Sequence, residues 1–262
     1  MLRFVKTLGI RNEKETVIRW SSQAKPAIGG LTFYIVFLLS IISHSFILSY
    51  QGNTIDFRFI GIVGATSLGF LMGLADDAYN TRPVLKFLTQ ILCAAILIYS
   101  GTLINLFDND LLNYGLTILW VVGLMNSINM LDNMDGITTL VSIVICFTIL
   151  VLMLLGNNTG SVGITIVIGL MASLLGFLYF NWNPAKMYMG DTGSQYLGVL
   201  LAALSITYLW NPVTTEEFSI SRQLLIPLLT FIIPIVDTTV VTIKRLSKGN
   251  SPFVGGKDHT TH

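Results

Sequence analysis

Long apolar segments recur along the chain and constrain its fold more than any other feature. A helix that crosses a bilayer needs about 20 predominantly apolar residues. The breaks between the apolar segments are short and polar, which leaves no room for a separate soluble domain. The pattern predicts an all-α, polytopic transmembrane helix bundle that forms one integral membrane domain over residues 1–262. About eight spanning helices are expected, at residues 31–50, 59–75, 86–105, 111–131, 137–155, 161–180, 196–211 and 223–243.

The composition indicates that lipid is the solvent for much of the surface. Only 11% of the residues are charged and 53% are hydrophobic, whereas a soluble domain carries about 25% charged residues. The formal net charge of +1 gives no reason to expect a nucleic-acid partner. Cys93 and Cys146 both lie within apolar runs, so we expect two small buried hydrophobic residues rather than a disulfide or a metal site.

The distribution of positive charge predicts the orientation. Cytoplasmic loops of membrane proteins are enriched in Lys and Arg. If residues 1–30 are cytoplasmic, the loops on that side hold every Lys and Arg except Arg58 and Arg222. The same orientation gathers acidic residues on the cytoplasmic side, namely Asp76, Asp77, Asp132, Asp135, Asp191 and Asp258. Their convergence predicts a functional site at the cytoplasmic face.

Paired carboxylates end the second apolar segment. Asp76 and Asp77 are followed by Lys86, where the third segment begins. Adjacent carboxylates at a membrane boundary repel each other and are costly to dehydrate unless a cation offsets their charge. A divalent metal or a phosphate-positioning lysine supplies such a charge. An ordinary solvated loop is the alternative.

Carbonyl-bearing side chains recur every third residue at the end of the fourth apolar segment. They are Asn126, Asn129, Asp132 and Asp135. This spacing places them along one side of a helical turn. Such an oxygen-rich strip suits Mg²⁺ or the polar edge of a nucleobase. A helix N-cap explains Asp132 or Asp135 alone, but it does not explain all four.

A glycine-flanked acidic motif precedes the seventh apolar segment. Gly190 and Gly193 surround Asp191 and allow the backbone to approach a phosphate or metal closely at a helix start. Asp191 is a hard oxygen ligand, and Tyr188 offers a flat face for stacking. A simple N-cap is the alternative.

The last residues of the chain combine positive, acidic and imidazole side chains. Lys257, Asp258, His259 and His262 lie within a short stretch. Charge-assisted hydrogen bonds from such a group suit a diphosphate. A zinc site and an unstructured tail are the alternatives. Within the last apolar segment, Asp237 follows Pro234, and an ionisable residue at that depth indicates either function or a packing pair.

At this point the motifs resemble a known family, the polyprenyl-phosphate N-acetylhexosamine-1-phosphate transferases of bacterial membranes (glycosyltransferase family 4). The matching stretches occur in family order along nearly the whole chain. They are KPAIGG (25–30), GLADDAYNTRPVLKFLTQ (73–90), NSINMLDNMDG (126–136), NWNPAKMYMGDTGS (181–194), PIVDT (234–238) and GGKDHTTH (255–262). Asn133 departs from the family pattern, which often has Gly there.

The resemblance implies an activity and a location. It implies transfer of a HexNAc 1-phosphate from a UDP-sugar (UDP-HexNAc) to undecaprenyl phosphate, with release of UMP, at the bacterial inner membrane. The active site would face the cytoplasm, Mg²⁺ would be the cofactor with Mn²⁺ as its alternative, and a homodimer is compatible with the family. A further helix precedes KPAIGG in most members and more residues follow the final motif, so the resemblance covers the family core.

The resemblance also implies roles for individual residues. Asp191 is similar to the metal ligand, with Asn126 as a second. Asp76 and Asp77 would lie near the lipid phosphate, one of them taking its proton. Asn129, Asp135 and Tyr188 are similar to a uridine pocket. The remaining expected site residues are catalytic Asp132, phosphate-binding Lys86, His259 and His262, and substrate-binding Lys257 and Asp258.

Other functions stay open at the level of sequence. Within the family, the alternative is a phospho-MurNAc-pentapeptide transferase. An ion-coupled transporter would use Asp237 near the membrane midplane, and an intramembrane prenyltransferase would use paired Asp-rich motifs. A non-catalytic scaffold derived from the family is the remaining alternative.

Overall fold

Helices make up almost all of the structure, a computed structural model that describes residues 28–51, 56–156, 162–211 and 220–247. Nine α-helices follow one another along these ranges. They are α1 Gly29–Gln51, α2 Phe57–Tyr79, α3 Pro83–Tyr99, α4 Asp110–Leu131, α5 Ile137–Leu155, α6 Val162–Asn181, α7 Gly190–Ser205, α8 Ile220–Thr230 and α9 Ile232–Ser247. A π-helical turn, Ile206–Trp210, extends α7. The predicted all-α fold is confirmed.

Fewer helices than predicted have the length and composition of a membrane span in the part of the chain that the structure describes. Within the described ranges, α1, α2, α4, α5 and α6 are long and apolar enough to cross a membrane. A sixth span is obtained if α8 and α9, which meet at an angle of 74°, are counted together. Helix α3 is a shorter apolar helix, and α7 has only 16 residues. The prediction of about eight spanning helices is therefore not confirmed.

The outer surface of the bundle is apolar, as expected for contact with lipid. On α5 the large side chains of Val144, Phe147 and Leu155 are more than half exposed. A soluble monomer rarely exposes a continuous apolar face of this kind. The chain therefore folds as a multi-pass membrane protein.

Helix α7 occupies the centre of the bundle. Every residue from Thr192 to Ser205 is buried, and the helix contacts α1, α2, α4 and α5. Because protein surrounds it on all sides, α7 needs neither the length nor the composition of a lipid-facing span. Helix α7, which the π-helical turn extends to Trp210, is therefore a core helix rather than a lipid-facing one.

Two glycines allow the start of α7 to lie against its neighbours. A Cβ placed on Gly30 of α1 would lie 2.6 Å from the Cα of Gly193, and one on Gly73 of α2 would lie 2.6 Å from the Cα of Thr192. No side chain fits into such gaps. Gly69, one turn before Gly73, similarly meets Val199, so this pair of glycines packs α2 against α7.

Local signals define the connection between α2 and α3. Helix α2 ends at Asn80, which adopts a left-handed conformation (φ 52°) and donates its N–H to the carbonyl of Asp76. Asn tolerates this conformation better than most residues. Helix α3 begins with Pro83, which lacks an N–H and has the backbone angle that a first helical position needs. The short turn brings Lys86 back beside Asp76.

Both cysteines and the acidic residue of the last apolar segment are buried. Cys93 and Cys146 are free and buried, which confirms their interpretation as small core residues. Asp237 is also buried, at 3% exposure, on helix α9, which packs against α4.

We expect Gly73→Ala to destabilise the protein because the added methyl group displaces the start of α7. Forcing an extra carbon into a packed core costs about 1–3 kcal/mol. The measurement is the apparent melting temperature in detergent. The matched control is Gly115→Ala on α4, where an added Cβ meets nothing within 4 Å. Equal melting temperatures for the two variants would contradict the packing argument.

Candidate active site

Seven helix ends meet at one end of the bundle and position the predicted site residues. The site contains the carboxyl ends of α2, α4 and α6 and the amino ends of α1, α3, α5 and α7. Contacts across this end include Lys86 with Asp191, Asn129 with Asp191 and Gly136 with Asn181. Residues far apart in the sequence thus form one polar centre, which we call the site end.

Lys86 bridges two carboxylates at the middle of the site end. Its Nζ lies 2.8 Å from Asp76 Oδ2 and 3.0 Å from Asp191 Oδ2. The Asp76 side chain is 8% exposed, while those of Lys86 and Asp191 are 21% and 31% exposed. Thr81 donates its N–H to the other Asp76 oxygen at 2.8 Å. The lysine offsets the repulsion that the sequence predicted for clustered carboxylates.

Asp77 caps the amino end of α7. Its Oδ1 accepts a hydrogen bond from the N–H of Asp191 at 3.0 Å, and its Oδ2 accepts from the N–H of Thr192 at 2.9 Å and from the Thr192 hydroxyl at 2.6 Å. The first N–H groups of a helix lack partners within the helix. A carboxylate from α2 therefore supplies the cap that α7 does not provide for itself.

Asn129 holds Asp191 from the other side. Its Nδ2 donates to Asp191 Oδ1 at 2.6 Å and to Ser194 Oγ at 2.8 Å. Each Asp191 oxygen therefore receives a hydrogen bond, one from Asn129 and one from Lys86. Asp191 is fixed between α3 and α4 before any substrate binds.

Asn126, three residues before Asn129, points to a different partner. Its Nδ2 donates to Gln90 Oε1 at 2.7 Å, and its Oδ1 accepts from Gln90 Nε2 at 3.3 Å. The amide of Asn126 is therefore paired with α3, one turn below the carboxylates of the site.

The carboxyl groups at the site end carry an excess of negative charge. Desolvation, followed by the negative charge of Asp191, raises the pKa of Asp132 to about 7. Desolvation and the neighbouring Asp76 also raise the pKa of Asp191, against the opposing effect of Lys86. A further cation nearby would stabilise the charged form of such a carboxyl group.

Asp135 and Asn181 organise the loop before α7. Asp135 Oδ2 accepts the N–H of Ala185 at 2.8 Å. Asn181, which is buried, accepts hydrogen bonds from the N–H of Gly136 and the hydroxyl of Thr139, and donates to the carbonyl of Met187. This loop carries Tyr188, whose carbonyl accepts the N–H of Gly29. The predicted uridine-binding residues Asp135 and Tyr188 thus belong to one supported region.

The remaining predicted site residues are not all within the described ranges. Lys257, Asp258, His259 and His262 lie outside the residues that the structure describes. Among the described residues, no group of three or more His, Cys, Asp or Glu side chains is arranged to hold a metal ion. The best donor set there is the pair of carboxylates, Asp76 and Asp191, that both face Lys86.

The middle of the chain matches one family model. Residues 59–209 match the model for glycosyl transferase family 4. The match begins within α2 and ends within the π-helical turn, so it includes Asp76, Lys86, Asn129 and Asp191. It covers more than half of the chain. The chain belongs to glycosyl transferase family 4.

Several curated proteins of this family are similar to the chain. A probable undecaprenyl-phosphate N-acetylglucosaminyl 1-phosphate transferase of Bacillus subtilis is 32% identical over 90% of the chain and 64% of its own length. A decaprenyl-phosphate N-acetylglucosaminephosphotransferase of Mycobacterium leprae is 28% identical over 90% of the chain and 65% of its length. A phospho-N-acetylmuramoyl-pentapeptide-transferase of Staphylococcus saprophyticus is 33% identical over 69% of the chain and 61% of its length. The chain thus spans somewhat less than two thirds of these relatives.

Sequence reasoning missed several supporting residues of this family site. Thr81 holds Asp76, Asn181 holds the loop before α7, and Gln90 pairs with Asn126. Only Gln90 carried a usable signal, since it lies one helical turn after Lys86 on the same face. Asn181 ends an apolar segment and looks like an ordinary helix terminus until its partners are known.

We expect Asp77→Ala to loosen the start of α7. Loss of a helix cap costs about 0.5–2 kcal/mol, so backbone amides near residue 192 should exchange with solvent faster. Hydrogen exchange measured by mass spectrometry tests this. Asp56→Ala is the control because it removes the cap of α2 at a site away from α7. Unchanged exchange near residue 192 in Asp77→Ala would show that Asp77 does not hold the helix.

Proposed function

We propose that the protein transfers an N-acetylhexosamine 1-phosphate, with N-acetylglucosamine as the first candidate sugar, from a UDP-sugar to undecaprenyl phosphate and releases UMP. The observation that carries the proposal is the Lys86 bridge between Asp76 and Asp191 at the end of a membrane helix bundle. A site with clustered carboxylates and a shared cation suits chemistry between two anionic phosphates. The name of the relative from Bacillus gives this acceptor and this sugar. The name of the relative from Mycobacterium gives the same sugar with another polyprenyl phosphate, decaprenyl phosphate.

The reaction exchanges one phosphoanhydride bond for another. An oxygen of the lipid phosphate forms a bond to the sugar-bearing phosphorus of the UDP-sugar. The bond from that phosphorus to the bridging oxygen breaks, and UMP leaves with that oxygen. The products are a lipid diphospho-sugar and UMP. A proton carried by the lipid phosphate passes to a base or to solvent.

The chain's own residues bind and orient the two substrates. Lys86 brings positive charge to the point where the phosphates meet, which reduces their mutual repulsion. Asp76 pairs with that lysine and orients its ammonium group. Asp77 acts through the backbone by holding the start of α7, and Asn129 keeps Asp191 in place.

The donor chemistry of the site fits an oxygen-preferring divalent cation. Asp76 and Asp191 both direct hard carboxylate oxygens towards the Lys86 ammonium group. Burial, followed by the negative charge of Asp191, raises the pKa of Asp132 beside them. Mg²⁺, or Mn²⁺ in its place, would be held by Asp191 together with Asp76. The predicted second ligand, Asn126, would first have to leave Gln90. When bound, the cation neutralises charge on the transferred phosphate.

The donor is recognised by the region around the loop before α7. Asp135, Tyr188 and Asn129 are proposed to face the uridine, since Asp135 and its partners fix this loop. The relative from Staphylococcus acts on a muramoyl-pentapeptide by its name, so this larger donor is the second candidate. The proposal places the protein in the bacterial cytoplasmic membrane with the site end facing the cytoplasm, where thirteen of the 15 Lys and Arg residues would lie.

We expect purified protein in detergent to release UMP only when undecaprenyl phosphate, Mg²⁺ and the correct UDP-sugar are all present. The panel contains UDP-GlcNAc, UDP-GalNAc and UDP-MurNAc-pentapeptide. Asp191→Asn and Asp76→Asn should each reduce kcat by about 10²–10³-fold, the usual effect of losing one charge-stabilising group. Asp108→Asn, exposed in the loop before α4, should retain wild-type turnover.

Two other outcomes would change the proposed function. Turnover that persists without Mg²⁺ would remove the metal from the reaction. Folded protein that binds none of the donors and releases no UMP, even when extended to the full length of its relatives, would favour a scaffold or a transporter.

A further inference from the structure

A second polar layer lies directly beneath the site, inside the bundle. Gln90 of α3 and Gln195 of α7 are each 1% exposed. Gln90 exchanges two hydrogen bonds with Asn126 of α4, and its Nε2 also donates to Gln195 Oε1 at 3.2 Å. The three amides therefore join the same three helices that carry Lys86, Asn129 and Asp191.

Each amide of this lower layer corresponds to one site residue of the same helix, and the site residues Lys86, Asn129 and Asp191 form the upper layer. Gln90 follows Lys86 by four positions and Gln195 follows Asp191 by four positions, while Asn126 precedes Asn129 by three. Residues three or four apart lie on one face of a helix, about 4.5–6 Å apart along its axis. Each amide is thus one turn deeper than the site residue of its own helix. Rotation of any of the three helices would break both layers together.

Stability does not explain why amides occupy these positions. The Nε2 group of Gln195 is buried and has no hydrogen-bond partner in the part of the chain that the structure describes. A buried donor without a partner costs free energy that an apolar side chain of the same shape would not. Buried polar groups that are not optimal for stability are best known for defining how helices align.

We propose that Gln90, Gln195 and Asn126 are positioning residues that fix the rotation of α3, α4 and α7, so that Lys86 and Asn129 meet the Asp191 carboxylate. This inference deepens the proposed function and rests on it for its kinetic consequence. Its structural consequence, the alignment of the three helices, does not depend on the activity.

The experiment uses Gln90→Met, Gln195→Met and the double variant of the full chain. Methionine keeps the length and flexibility of glutamine but removes its hydrogen bonds. Ser205→Ala is the matched control, because it removes a buried hydrogen bond, from Trp120 Nε1 at 2.8 Å, at the other end of α7. All variants are purified in detergent, and their melting temperatures are measured.

The kinetic measurement separates positioning from binding. We expect each methionine variant to lower kcat about a hundredfold, as a misplacement of about 1 Å does. The KM for the UDP-sugar should stay within about threefold of wild type, since the substituted glutamines lie one helical turn below the residues that are proposed to face the uridine. The double variant should be no slower than the slower single variant because the residues act as one unit. Ser205→Ala should keep wild-type kcat.

Hydrogen exchange supplies a measurement that needs no turnover. In both methionine variants, exchange should increase in residues 190–196 and 83–90 and stay at the wild-type rate in α5. Global destabilisation would increase exchange in α5 as well. A kcat that falls in proportion to the melting temperature across the variants would also indicate global destabilisation. Either result, or wild-type kcat and exchange in Gln90→Met, would overturn the positioning role. If wild-type protein shows no turnover, the proposed function fails and the exchange pattern alone decides the inference.

Discussion

Burial of the start of α7 is the constraint on which the rest of the site depends. A helix end brings N–H groups without partners into the protein, and these must be satisfied where water is scarce. Here Gly30 and Gly73 let two neighbouring helices approach the backbone, and Asp77 accepts the exposed N–H groups. With that end fixed, Asp191 lies between Lys86 of α3 and Asn129 of α4.

Charge balance then determines how the site is assembled. Asp76 and Asp191 belong to different helices, and they would repel each other in a poorly hydrated place. Lys86 lies between them, and Asn129 holds Asp191 from the opposite side. The same arrangement that stabilises the folded protein leaves a concentration of carboxylate oxygens beside a lysine. This combination is suited to phosphate chemistry.

Much of this architecture was predictable from sequence. Apolar segments predicted an all-α membrane fold, and the charge pattern indicated that the acidic motifs share one end, where Asp76, Asn129 and Asp191 do meet. The spacing of Asn126, Asn129, Asp132 and Asp135 predicted one side of a helical turn. That prediction was wrong for Asp132 and Asp135, because α4 ends at Leu131. The two amides do lie on one helix, but they have different partners. The number of spanning helices was not confirmed, because hydropathy reports that a segment is apolar and does not report whether lipid or protein surrounds it.

The sequence by itself determined that this is a membrane protein, that it is all-α, and which kinds of side chain the site contains. These properties follow from composition and from local spacing. Only the tertiary structure decided that α7 is a core helix, that Asp77 is a cap and that Lys86 bridges two carboxylates. Those facts depend on contacts between residues as distant as Lys86 and Asp191. Such contacts arise from the packing of whole helices, and no local pattern in the chain records which side chains will meet.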